Sequence, residues 1–360
     1  MNPAVAARPR SIPRLRWVDA LRHRPLLLVA FGVALMAVCL IAGIAVGNVS
    51  IAPSDTIAIL AHRFLGWPVA VTWPAASETI VLDIRLPRVL TAMAVGAALS
   101  LAGTTFQGLL RNPLADPYVL GTASGAALGA AIAVLLPIQV ALLGLGLLHV
   151  FAFVGALLAV AVVYRVSQLG ALSSLTSVLL TGYAVGSLLA AGLAMTMYLS
   201  GSNLRQIFFY LLGSFSLASW QQLVISLPII VIGGILILTR ARSLNALLLG
   251  EETAAHLGID VHRDRRILLA GATLVTAASV AVSGLIGFVG LVVPHLVRLV
   301  VGPNARLVLP LSAIYGASFL GLADLVARTP GELPVGVVTA ILGAPFFIYL
   351  LRRYRTGYEL

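Results

Sequence analysis

The chain has 360 residues, 60% of them apolar and only 10% charged, with a mean hydropathy of +1.05 and a formal net charge of +11. That balance excludes a soluble globular domain and describes an all-α, polytopic membrane protein. At about 20 residues per span, the length accommodates about ten transmembrane helices and no sizeable soluble domain.

All 23 basic residues are arginine, and no lysine occurs. A Walker A loop needs its lysine on the nucleotide phosphates and a Schiff-base cofactor needs a lysine amine, so neither chemistry resides in this chain. The arginines are interrupted by apolar runs, so the positive-inside effect accounts for the charge and no nucleic-acid partner is invoked. The single cysteine, Cys39, lies in an apolar run, which excludes a disulfide framework or a thiolate metal cluster.

In chain order, residues 1–25 carry six arginines and several prolines and read as a basic cytoplasmic tail. Residues 26–351 form the membrane domain. The run from Leu26 to Val46 is too long for a signal-peptide core and reads as an uncleaved first helix. Gly47 to Arg88 is mixed and polar, with a short helix expected after Pro53. The second helix is expected from Pro87 to Leu110, ending at Arg111-Asn112-Pro113. The third covers Tyr118 to Leu136 and is rich in small residues (Gly121, Gly125, Gly129); the fourth spans Leu147 to Tyr164. The fifth follows Ser173-Ser174-Leu175-Thr176 and reaches Leu199, and the sixth covers Leu223 to Leu238. Helix seven runs from Ile267 to Val282, helix eight includes Leu291 to Val301, helix nine covers Leu309 to Ala327 and helix ten Pro334 to Leu351, before a basic tail at 352–360.

Between helices six and seven lies the longest polar interruption, residues 243–266. Leu244, Leu247 and Leu248 fall at i, i+3 and i+4 and give one apolar stripe on a short helix. A second short helix starts at Gly250, with Glu251 and Glu252 in its first turn and Gly258 placed to close it. Two short helices at a membrane face form either a docking platform or an ordinary interfacial segment. Ten spans place both termini and this stretch in the cytoplasm. Eighteen arginines then fall inside and five outside (Arg63, Arg85, Arg88, Arg205, Arg328), as the positive-inside rule requires.

Three of the outer arginines sit at helix ends: Arg85 and Arg88 before helix two, Arg328 at the end of helix nine. Exposed guanidinium groups there suit bidentate pairing with a partner's carboxylates, or snorkelling to lipid headgroups. Gly182 and Gly186 in helix five permit close packing, and Ser173, Ser174 and Thr176 either cap that helix or narrow a path. His149 and His295 are single imidazoles without carboxylate or thiol company, so no metal site is expected. Asp324 is the one acid placed to serve a proton-driven carrier. Gly213-Ser214-Phe215-Ser216 has no His or Asp nearby and does not make a nucleophile turn. The segment Phe106-Gln107-Gly108-Leu109 echoes Phe288-Val289-Gly290-Leu291.

Four segments together carry a family likeness: RLPRVLTAMAVGAALSLAGTTFQGLLRNPLADPYVLG (85–121), LGEETAAHLGIDV (249–261), GFVGLVVPHLVRLVVG (287–302) and ELPVGVVTAILGAPFFIYLLRR (332–353). From about residue 80 onward the chain resembles the permease subunit of the type II ABC importers that carry vitamin B12, ferric siderophores and haem. The resemblance implies a homodimer in the bacterial inner membrane, two ATP-binding subunits on the cytoplasmic side and a periplasmic binding protein outside. It implies ATP and Mg bound by the partner subunit and no cofactor in this chain. Gly250, Glu251, Ala254, Leu257 and Gly258 match the coupling helices, Arg85, Arg88 and Arg328 the docking rim, and Ser174, Leu175 and Thr176 the cytoplasmic gate. Leu175 stands where a small polar residue is expected, the link from Arg328 to Glu332 is short, and residues up to about 80 resemble nothing specific.

The expected function is therefore a permease, not an enzyme, moving a metal chelate with energy supplied by another chain. The rival is a self-contained secondary carrier with buried charge near mid-membrane; a structural anchor is a third reading. Among cargoes, family breadth places ferric siderophore first, then haem and corrinoid.

Overall fold

A computed structural model describes residues 24–355 apart from 48, 69–70, 139–140, 143–144, 169–174 and 330. Most of the two expected tails, and Ser173 and Ser174, lie outside the described residues. The first helices are α1 (Pro25–Ala45), α2 (Pro53–Leu65), α3 (Ala75–Leu109), α4 (Thr122–Leu135) and α5 (Leu147–Gln168). Then come α6 (Leu175–Leu199), α7 (Leu204–Leu212), α8 (Trp220–Thr239), α9 (Ala241–Leu248) and α10 (Glu251–His256). The chain finishes with α11 (Val261–Ser283), α12 (Val289–Val301), α13 (Ala305–Arg328) and α14 (Val335–Arg355). The one strand pairing among the described residues is antiparallel, between β1 (Ala141–Leu142) and β2 (Leu145–Gly146).

By length and composition α1, α3, α5, α6, α8, α11 and α13 are apolar enough to cross a membrane, and α4, α12 and α14 are shorter apolar helices. These fall in order on the ten stretches read from the sequence. Three differences have physical causes. The second helix starts at Ala75, not Pro87: Pro87 occupies a first-turn position of the α-helical part, and a π-helical segment over Ile80–Arg85 continues the coil upstream. Helix seven starts at Val261 because Asp260 caps it, accepting the Arg263 N–H at 3.0 Å. The short α7 was not expected; its Tyr210 hydroxyl donates to the Val280 carbonyl at 2.9 Å and ties it to α11.

Helix α3 is the axis of the bundle. Of its most apolar window 83% is buried, against 6% for α6, so α3 is surrounded by protein and α6 is not. It packs against α8, α11, α12 and α13. The polar residues on it need internal partners where no water reaches. Thr91, Thr104 and Thr105 therefore donate to the carbonyls of Pro87, Ser100 and Leu101 at 2.7, 2.9 and 2.8 Å. Small residues set the spacing: a Cβ on Gly96 would overlap the Gly316 carbonyl, and one on Gly103 the Gly290 carbonyl. Gly125 and Gly129 do the same for α4 against α5, and Gly182 of α6 lies against the Val119 carbonyl, which is packing.

The RNPLADP segment makes two side-chain-closed turns after α3. The Asn112 carboxamide accepts the Leu114 N–H at 2.9 Å and the Asp116 carboxylate accepts the Tyr118 N–H at 2.8 Å. Burial raises the Asp116 carboxyl above its ordinary value, against the Tyr118 hydrogen bond that lowers it.

Replacing Gly103 with Val should cost at least about 3 kcal/mol, because backbone rather than a mobile side chain occupies the space. Gly287→Ala, where nothing lies within 4 Å, should leave the melting temperature of the detergent-solubilised protein within a few degrees of wild type.

Candidate functional site

Two polar constellations occupy opposite ends of the α3–α13 pair. The first is built on α9 and α10, the two short helices expected from the sequence. Leu244 and Leu247 are buried, as the stripe requires, and Leu248 at its edge is 37% exposed. Gly250 (φ 123°) lets the chain turn into α10, and Gly258 (φ 78°) follows its end. Ala254 is fully buried and seats α10 on the bundle, whereas Leu249 and Leu257 are 68% and 62% exposed. Glu251 turns inward to Arg265 at 3.2 Å, and Glu252 is exposed.

Side chains that were not singled out from the sequence fasten this platform. The Ser243 hydroxyl donates to Asp264 of α11, whose carboxylate also pairs with Arg240 at 3.4 Å. Asn245 donates to the Asn304 side chain at 2.9 Å and accepts the Ala305 N–H at 2.7 Å, so α9 is held on the first turn of α13. Leu244 lies against Gly108 of α3. Two cavities, of about 320 and 280 Å³, flank the platform; the first is lined by Leu109, Tyr164, Val178, Glu251 and Arg265, the second by Arg111, Leu244 and Arg298. Leu175 and Thr176 open α6.

The segments that echo one another in sequence meet in space. Gln107 donates to the carbonyls of Gly290 and Leu291 at 3.3 and 3.4 Å and accepts from Arg298 at 2.8 Å. The likeness is local, since the first segment is continuous helix and the second begins at Phe288 with φ 70°.

The second constellation corrects an expectation. Arg85, Arg88 and Arg328 are not exposed: their relative exposures are 4%, 6% and 4%. Arg85 donates to the carbonyls of Ile44 and Ala45 at 3.0 and 2.8 Å and to that of Val49. Arg88 Nε and Arg328 Nη2 lie 3.0 and 3.1 Å from the Asp324 carboxylate, which is wholly buried between them. Glu332, in the connection from α13 to α14, reaches Arg88 Nη1 at 3.5 Å. Buried guanidiniums require counter-charges and acceptors, and the ends of α1 and α13 and the connections that follow them supply these. His149 bonds Gln222 at 3.0 Å and His295 meets the edge of Phe346, so the two histidines serve separate helix contacts.

The FecCD transport family model matches residues 35–353. A cobalamin import system permease of Halobacterium salinarum is 46% identical over 280 residues, covering 78% of this chain and 75% of that one. A hemin transport system permease of Yersinia pestis is 45% identical over 282 residues, covering 77% and 84%. An uncharacterized ABC transporter permease of Bacillus subtilis is 42% identical over 334 residues, covering 91% and 94%. A solved structure, described as an inward-facing ABC transporter of the metal-chelate type, superposes with a TM-score of 0.77 at 29% identity over 91% of this chain and 99% of that one. The chain belongs to the FecCD transport family.

Removing one carboxylate separates a buried counter-ion from a peripheral one. Asp324→Asn leaves two buried guanidiniums without their shared charge and should cost about 3–5 kcal/mol. Glu332→Gln touches a half-exposed pair and should cost under about 1 kcal/mol. Thermal melts of the two variants in the same detergent measure the difference.

Proposed function

We propose that this FecCD-family chain is the membrane-spanning permease subunit of an ATP-driven importer that moves a metal chelate into the cytoplasm. The observation that carries the reading is the platform: α9 and α10 are fixed to α3, α11 and α13 on one side and present Leu249 and Leu257 on the other. Exposed leucines on a polar, rigidly seated segment outside the spans fit the face of another protein. A chain without lysine has no P-loop of its own, so the ATP-binding subunit is the fitting partner. ATP-driven closure of two such subunits would move both platforms and rock the helices between two arrangements.

The other partners follow from the same architecture. Helix α6 turns Gly182, Gly186 and Gly192 to residues 119–128 of its own chain and leaves Leu180, Leu188 and Met195 exposed, which suits a second copy of this chain in a homodimer. The gate is assigned to the start of α6, at Ser174, Leu175 and Thr176. Docking of a periplasmic binding protein is assigned to the end of the bundle that holds Arg85, Arg88 and Arg328, not as three free guanidiniums but at Arg88, where the half-exposed Glu332 meets it. Reversing those arginines would disturb the fold before it tested docking. For the cargo, two relatives are named as cobalamin and hemin permeases, which supports a tetrapyrrole-type chelate ahead of a ferric siderophore. The secondary-carrier reading is not favoured, because Asp324 is held between two arginines instead of facing a path.

Leu257→Arg puts a charge into the proposed contact without touching the bundle core. It should leave melting temperature unchanged and lower ATP-dependent uptake at least tenfold, by weakening or uncoupling the ATPase. Wild-type uptake by this variant would remove the platform from the coupling path.

A further inference from the structure

At the end of the bundle opposite the platform, one carboxylate differs in kind from the other. Asp324 is wholly buried, fixed between Arg88 and Arg328. Glu332 has a side chain 51% exposed and reaches Arg88 from outside. Arg85, Arg88 and Arg328 set against these two acids leave one net positive charge, and of the five side chains Glu332 is the exposed one. Glu332 also has φ 60°, a region that residues with a Cβ seldom adopt, directly after Gly331 at φ 111°. The Leu333 N–H closes this turn on the Ala327 carbonyl at 2.8 Å, which aims the Glu332 side chain back over α3.

We propose that Glu332 is a built-in competitor for the carboxylate through which a binding protein docks at Arg88. This rests on the importer reading above. With the partner away, Glu332 occupies Arg88 Nη1 and ties the start of α14 to α3. An acidic group on the docking surface takes its place, and the α13–α14 connection is released. The two ion pairs of Arg88 have different fates for a physical reason. The pair to Asp324 is buried, and breaking it strands a charge. The pair to Glu332 is half in water, where ion pairs are weak and readily exchanged. A guanidinium offers donors in a planar fork, so Arg88 keeps Nε on Asp324 while Nη1 changes partner. The partner this end accepts is an acidic protein surface.

Glu332→Gln preserves size and removes the competing charge. The assay is the affinity of the permease complex, in lipid nanodiscs, for the soluble binding protein that co-purifies with it from native membranes. Glu332→Gln should bind roughly two- to fivefold tighter at low salt, the worth of a half-exposed ion pair, and the gain should shrink as salt is added. Equal or weaker binding, with the variant folded by its melt, would overturn the proposal. Arg88→Lys separates the two levels, because it keeps a cation on Asp324 while giving up the arm of the fork that meets Glu332, and its melt checks the fold. If the folded variant weakens docking while Glu332→Gln does not tighten it, only the competitor role fails. If no binding protein is recovered, or docking ignores Arg88→Lys, the docking assignment fails and the competitor role with it.

Discussion

The close approach of α3 to its neighbours is the constraint on which the other features depend. Gly96 faces the backbone of Gly316 and Gly103 that of Gly290, with no room for a methyl group. In a bilayer, helix association gains little from the hydrophobic effect and relies on van der Waals contact at short range. Small residues at these positions therefore both permit and stabilise the central packing. The same proximity lets Arg88 of α3 reach Asp324 of α13, which a longer interaxial distance would prevent.

Each end of that pair carries a polar joint of different character. At the platform, a neutral side chain makes the tie to α13: Asn245 bonds both the Asn304 side chain and the Ala305 backbone, so α9 is held there with defined geometry. The Ser243–Asp264–Arg240 group holds it to α11. At the other end, charge predominates, with Asp324 shared by two guanidiniums. The platform is thus bonded to α13 and α11, and α13 ends in the ion cluster. This is a continuous mechanical connection; energetic coupling along it is a separate quantity that double-mutant cycles measure.

The sequence was legible where a signal is local. The leucine stripe at Leu244, Leu247 and Leu248, the turning glycines Gly250 and Gly258, and the apolar runs all lie within a few residues of the structure they specify. Asp324 was legible as an intramembrane acid but not as a counter-ion, because Arg88 lies 236 positions away in the chain. For the same reason the outer arginines were expected to be exposed: nothing near Arg85 in sequence shows that it folds back onto carbonyls of residues 44, 45 and 49. The start of α3 was misplaced because a proline normally marks a helix's first turn, and here a π-helical segment precedes it. Asn245 and Asn304 gave no signal at all, since either residue alone reads as a loop or a cap.

On the proposed function, this chain supplies the path and another chain the energy. Reconstitution into liposomes tests it directly, with uptake of a radiolabelled corrinoid or haem measured for the chain alone and for its purified complex with the ATP-binding subunit and binding protein. Uptake is expected from the complex with ATP and Mg, and none from the chain alone under an imposed proton or sodium gradient. Gradient-driven uptake by the chain alone would contradict it.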